Sequence, residues 1–115
     1  NQGNMGSLVS ESSGIFSFSE TGYYGVIVQA SVNGTQPRVL TLATNDNSTY
    51  TEISWAGIIA DSGGAVGFSM VILDVTNTTN DKVKFQSSVH ANGGTIYGSS
   101  TSSKTAFTFL KLGDT

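Results

Sequence analysis

Gly22-Tyr23-Tyr24-Gly25-Val26-Ile27-Val28-Gln29-Ala30-Ser31-Val32-Asn33 is the stretch that decides the fold class. Tyr24, Val26, Val28, Ala30 and Val32 recur at every second position, so an extended chain would carry all five on one face. Polar residues and glycine separate most of them. A helix would scatter the same five around its circumference. This is a β-strand with one face turned into a core.

The same reading extends along the 115 residues. Val83, Phe85, Ser87 and Val89 alternate with Lys84, Gln86, Ser88 and His90, and Ile53, Trp55, Gly57 and Ile59 share a spacing of two. No window places apolar residues at i, i+3, i+4 and i+7 among good helix formers. Eight strands are expected, over 14–18, 22–33, 38–45, 50–60, 65–76, 82–91, 94–99 and 105–112. Turn chemistry separates them: Asn33-Gly34, Asp61-Ser62-Gly63-Gly64, Asn77 to Asp81, and Asn92-Gly93-Gly94. Asn33-Gly34 is the strongest hairpin signal of the four, because both residues accept positive φ. The fold class is all-β, a two-sheet antiparallel jelly-roll sandwich. Residues 1–12, rich in Gly, Ser and Asn, are expected to form an N-terminal arm or linker, with the jelly roll over 13–115. The opening Asn1-Gln2-Gly3-Asn4 lacks an initiator Met and an apolar signal segment, which suggests one piece of a longer polypeptide.

Only 11% of the residues are charged, and the net charge is −3. Hydroxyls and amides must therefore make the surface polar, which suits a crowded assembly or an extracellular particle. The five basic residues, Arg38, Lys82, Lys84, Lys104 and Lys111, are dispersed along the sequence. Nucleic acid and membrane insertion are not expected: one needs converging cations, the other a long apolar span. There is no cysteine, so no disulfide framework of a small secreted domain is available.

Two strands break the one-face rule. Val66, Phe68, Met70 and Ile72 occupy one face of 65–76, while Val71, Leu73 and Val75 fill the other. In 105–112, Phe107 and Phe109 alternate with Ala106, Leu110 and Leu112. A strand apolar on both sides needs cover on both sides, and a two-layer sandwich supplies one. Another subunit is the expected second cover, with Phe68, Met70, Ile72, Phe107, Phe109 and Leu110 at the seam. A loop or the N-terminal arm is the alternative cover.

Three segments also carry a family resemblance. Gly14-Ile15-Phe16-Ser17-Phe18-Ser19-Glu20-Thr21-Gly22-Tyr23-Tyr24 resembles the "G-x-F-x-x-x-x-x-G-x-Y" opening of the complement globular-head and tumour necrosis factor-like jelly rolls. Val71-Ile72-Leu73-Asp74-Val75 followed by Asp81-Lys82-Val83-Lys84-Phe85 resembles that family's strand, "G-D-x-V" turn and strand, with Asn80 in place of the glycine. Lys104 to Leu112 is similar to its closing strand. The family's first strand, upstream of that opening, has no clear counterpart and either lies in the arm or is missing. The composition is closer to members found in the virions of tailed bacteriophages. The resemblance implies a homotrimer about a threefold axis, located in a virion and partnered by capsid, tail or fibre proteins. Such a module would be a capsid decoration or a fibre or tail-tip head, displaying loops to host glycan or protein. The alternatives are a secreted receptor-binding head of the same superfamily and a carbohydrate-binding sandwich.

No catalytic residue, cofactor site or metal site is expected, and the chain reads as no enzyme. His90 is the one histidine, and no orienting acid or nucleophile accompanies it. Most of the eight acids fall in turns or at strand ends, where they cap backbone N–H groups. Asn45, Asp46 and Asn47, followed by Ser48 and Thr49, cluster oxygen donors suited to calcium but lack the spacing of an EF-hand, so a plain loop is the favoured reading. Asn45, Asp46, Asn47, Tyr50 and Tyr97 are the candidate ligand or partner loop residues, Tyr97 as an exposed ring for a sugar face. Trp55, aligned with Ile53 and Ile59, is expected in the core or a subunit interface. Sequons at Asn33, Asn47 and Asn77 are what a chain so rich in Asn, Ser and Thr produces by chance.

Overall fold

Nine strands follow one another along the chain: β1 (Val9–Ser12), β2 (Ile15–Phe18), β3 (Gly22–Asn33), β4 (Pro37–Thr44), β5 (Thr51–Gly57), β6 (Gly64–Val75), β7 (Lys82–Val89), β8 (Thr95–Tyr97) and β9 (Ala106–Gly113). They come from a computed structural model that describes residues 6–34, 37–57, 64–89, 94–99 and 101–115. No helix occurs among the described residues.

The strands form two antiparallel sheets. The first runs β1-β2-β7-β4-β5; the second runs β6-β3-β8, with β9 also paired to β3. The all-β sandwich read from the sequence is therefore the architecture. Consecutive strands mostly change sheet: β2 to β3, β3 to β4, β5 to β6, β6 to β7 and β7 to β8. This alternation is the winding of a jelly roll rather than of a meander. It also corrects the hairpin expected at Asn33-Gly34. Gly34 does take a positive φ of 102°, yet β3 pairs with β6, β8 and β9, and β4 pairs with β5 and β7. The turn chemistry is used to cross between sheets.

Eight strands were expected and nine are present among the described residues. The additional one is β1, within the segment read as an arm. Its four residues pair with β2 across Ser13 and Gly14, whose φ values of 52° and 80° are those of a tight two-residue hairpin. Glu11 Oε1 accepts a hydrogen bond from the Gly14 N–H at 2.6 Å, and the Ser19 N–H donates to the Leu8 carbonyl at 2.9 Å, extending the ladder.

The core lies between the sheets in two clusters. Phe18, Tyr24, Val26, Val75 and Val83 fill one end; Val28, Ala30, Val32, Val39 and Ala56 fill the other. The alternating residues of 22–33 are thus all buried. Four phenylalanines bridge the layers: Phe85 stacks on Phe107 with ring centroids 3.9 Å apart, and Phe16 sits 5.4 Å from Phe85 and 5.1 Å from Phe109. Such contacts add to the area term by roughly 0.5–1.5 kcal/mol per pair.

One corner joins the sheets backbone to backbone. A Cβ placed on Gly67 of β6 would meet the Gly57 backbone, with its Cα at 2.6 Å and its carbonyl oxygen at 2.9 Å. A Cβ on Gly57 would meet the Pro37 carbonyl oxygen and the Arg38 Cα. Only glycine lets these two edges approach so closely.

Candidate functional site

Residues opposite one another in an antiparallel pair project to the same side, so register decides which apolar residues face out. Val26 and Val28 of β3 are buried, and they pair with Val71 and Ser69 of β6 and with Phe109 and Phe107 of β9. Those residues therefore point into the sandwich. The alternate set, Val66, Phe68, Met70 and Ile72 of β6 with Leu110 of β9, points away from it. Phe68 is 65% exposed, Ile72 59%, Leu110 53% and Met70 49%. Between them, Ile27 of β3 pairs with Met70, and Gly25 pairs with both Ile72 and Leu110. The result is a continuous apolar face across β6, β3 and β9, ending at Asp74.

Phe68, Met70, Ile72 and Leu110 thus occupy one outer surface, whereas Phe107 and Phe109 do not share it. The expected seam grouped all six because 105–112 is apolar on both sides. Pairing with β3 turns Phe107 and Phe109 toward Phe85 and Phe16, with Phe107 keeping 39% exposure beside its stacked partner. Val66, 63% exposed, and Leu112, 48% exposed beyond Leu110, are residues that the expected seam lacked.

The candidate loop residues divide between the two ends of the sandwich. Thr44 pairs with Lys82, so the 45–49 loop lies beside the 76–81 turn, and the Asn47 N–H donates to the Asn80 carbonyl at 3.1 Å. Asn47 sits at a positive φ of 59°, a conformation asparagine tolerates. Asp46 Oδ1 accepts hydrogen bonds from the Thr44 hydroxyl at 2.7 Å and from the Ser48 and Thr49 N–H groups at 2.9 and 2.7 Å. The backbone N–H of Thr49, then the Thr44 hydroxyl and the Ser48 N–H, hold this carboxyl well below the usual aspartate range. The buried Asp81 does the same for the facing turn, its Oδ2 accepting from the N–H groups of Thr76 and Asn77 at 2.8 and 2.9 Å. Of the oxygens considered above as calcium donors, Asp46 Oδ1 is engaged in shaping its own loop. Among the described residues no three acids, histidines or cysteines gather as a metal site.

A cavity of about 290 Å³ opens at this end, lined among others by Ala43, Ile53, Leu73, Thr44, Asp74 and Asp81. Tyr50 stands near it on the outer side of the first sheet, its ring centroid 4.2 Å from Lys84 Nζ. Tyr97 belongs to the opposite end, opposite Ser31, where its hydroxyl accepts a hydrogen bond from Asn33 Nδ2 at 3.2 Å. His90, Ile59, Asp61 and Asn92 lie outside the described residues.

Trp55 is in neither the core nor the apolar face. Thr41 pairs with Ser54 and Leu42 with Glu52, so Ile53 is an extra residue in β5. This bulge puts Ile53 and Trp55 out of step. Trp55, opposite Leu40, takes the outer side of the first sheet, with the Arg38 guanidinium carbon 4.5 Å from its ring centroid.

No family model matches the chain, and no curated protein matches its sequence.

Proposed function

We propose that this protein is a non-enzymatic structural and binding module of a virion: a homotrimeric jelly roll that decorates a phage capsid or forms a fibre or tail-tip head. The observation that carries the reading is the apolar outer face of β6, β3 and β9. Val66, Phe68, Met70, Ile72, Leu110 and Leu112 all stand 48% or more exposed on a protomer whose own core is already filled. Contiguous exposure on this scale marks an interaction surface. Half-exposed side chains of this size each leave on the order of 1 kcal/mol of hydrophobic stabilisation unrealised until something covers them. The three resemblance segments supply the form of the cover, copies of the same chain about a threefold axis.

The acids support a structural role. Glu11, Asp46 and Asp81 hold local backbone, while Glu20 and Asp114 flank Lys111 Nζ at 2.9 and 3.1 Å. The 45–49 and 76–81 loops, braced against each other, present amides and hydroxyls at one end for neighbouring subunits or a host surface. Mass spectrometry of virus particles purified from the sample that encodes the chain tests this location. The chain is expected in intact particles, in a copy number divisible by three; its absence from them would contradict the reading.

A further inference from the structure

The five basic residues are dispersed in sequence, but three of them come together in the fold. In β7, Val83 points inward against the core, so Lys82 and Lys84 project outward. In β4, Val39 and Thr41 are buried, so Arg38, Leu40 and Leu42 project outward on the same side. The register sets Thr44 opposite Lys82, Leu42 opposite Lys84 and Leu40 opposite Gln86. Three of the five cations therefore share the outer face of the first sheet, on a protein of net charge −3. Glu52, opposite Leu42, is the one carboxylate that the described pairing puts on β4's outer side of this face.

Two of these cations are held by aromatic rings rather than by acids. Arg38 lies over Trp55 at 4.5 Å and Lys84 over Tyr50 at 4.2 Å. Such contacts fix a cation without neutralising it. Lys111, by contrast, is neutralised by Glu20 and Asp114. Among the described residues neither Arg38 nor Lys84 forms an ion pair, and Arg38 Nε is buried with no hydrogen-bond partner. The two cations are four residues apart along the ladder, about 13 Å.

We propose that this face binds an acidic polysaccharide, with Arg38 and Lys84 receiving successive carboxylate or sulfate groups. Leu40 supplies apolar surface for the C–H face of a sugar ring, and the Gln86 amide opposite it meets the ring's hydroxyls. Three cations are too few for nucleic acid, whose binding releases counterions from many neutralised phosphates. The face lies on the opposite side of the sandwich from Phe68 and Leu110, so the site stands whether or not copies of the chain assemble.

Biolayer interferometry against heparin and polygalacturonate, with dextran as the uncharged control and a short DNA duplex as competitor class, tests it. Binding to the acidic polysaccharides, absent for dextran and weakened by salt, is expected. Arg38→Gln and Lys84→Gln should each weaken binding about threefold and the double variant about tenfold, with unchanged melting temperatures. Lys104→Gln, away from this face, should bind as the parent does. Binding to neither polysaccharide, equal binding by the double variant, or tighter binding to DNA would each overturn the proposal.

Discussion

The two outer faces of this sandwich are built from strands with the same alternation, yet they differ in kind. Across β6, β3 and β9 the outward residues are Phe68, Met70, Ile72, Ile27 and Leu110; across β7, β4 and β5 they are Lys84, Gln86, Arg38, Leu40 and Trp55. On the second face the aromatic rings lie under long cations: Arg38 covers Trp55 and Lys84 covers Tyr50. The first set has no such cover among the described residues, and Phe68 stays 65% exposed. A long cation can cover apolar surface with its stem while its head remains in water. On the reading proposed above, self-association uses the face that lacks such residues.

The largest effect is expected where the two layers are joined. Gly67→Ala would drive a methyl group into the Gly57 backbone. Backbone cannot yield as a side chain can, so urea denaturation should show a loss of about 3 kcal/mol or more, or no folded protein. A loss under 1 kcal/mol would mean that the corner is looser than described.

Neighbours on one strand separate inward from outward next. Phe109→Ala should cost about 3 kcal/mol at any protein concentration, because Phe109 packs among Phe16, Phe18 and Phe85. Phe68→Ser and Leu110→Ser should change protomer stability by only about 0.5 kcal/mol while weakening self-association. Equal destabilisation by Phe109→Ala and Leu110→Ser in dilute solution would erase the distinction between the faces.

The smallest effect concerns the loop end. Asp46 has its pKa lowered by folding, so its stabilising contribution is complete above the unfolded value of 3.8 and is lost as pH falls toward the lower folded value. Asp46→Asn should therefore flatten the decline of melting temperature on acidification below that value and leave the difference constant near neutrality. An unchanged acid profile would remove Asp46 as a loop anchor.

Much of this was readable in the sequence because burial on one face imposes a period of two. The strand over 22–33 matches its expected bounds, and Val26, Val28 and Val32 are buried as their spacing requires. What escaped depends on register or topology. A single extra residue, Ile53, moved Trp55 to the other side of its sheet, and nothing in 50–60 marks a bulge. Phe107, Phe109 and Leu110 are apolar alike, so only pairing with β3 separates inward from outward. Asn33-Gly34 reports local backbone freedom and cannot say which sheet the next strand joins. β1 went unseen because Val9 is its one apolar residue, too few for a pattern. The cationic face was hidden because Arg38 and Lys84, far apart in the chain, meet only through the β4–β7 ladder.

Multi-angle light scattering of the purified chain at micromolar concentration, beside the Phe68→Ser/Leu110→Ser double variant, addresses the apolar face most directly. The protein should run at three times its 11.9 kDa protomer mass, and the double variant as a protomer. A parent protein that stays at 11.9 kDa, folded and soluble with Phe68 and Leu110 in water, would contradict the account.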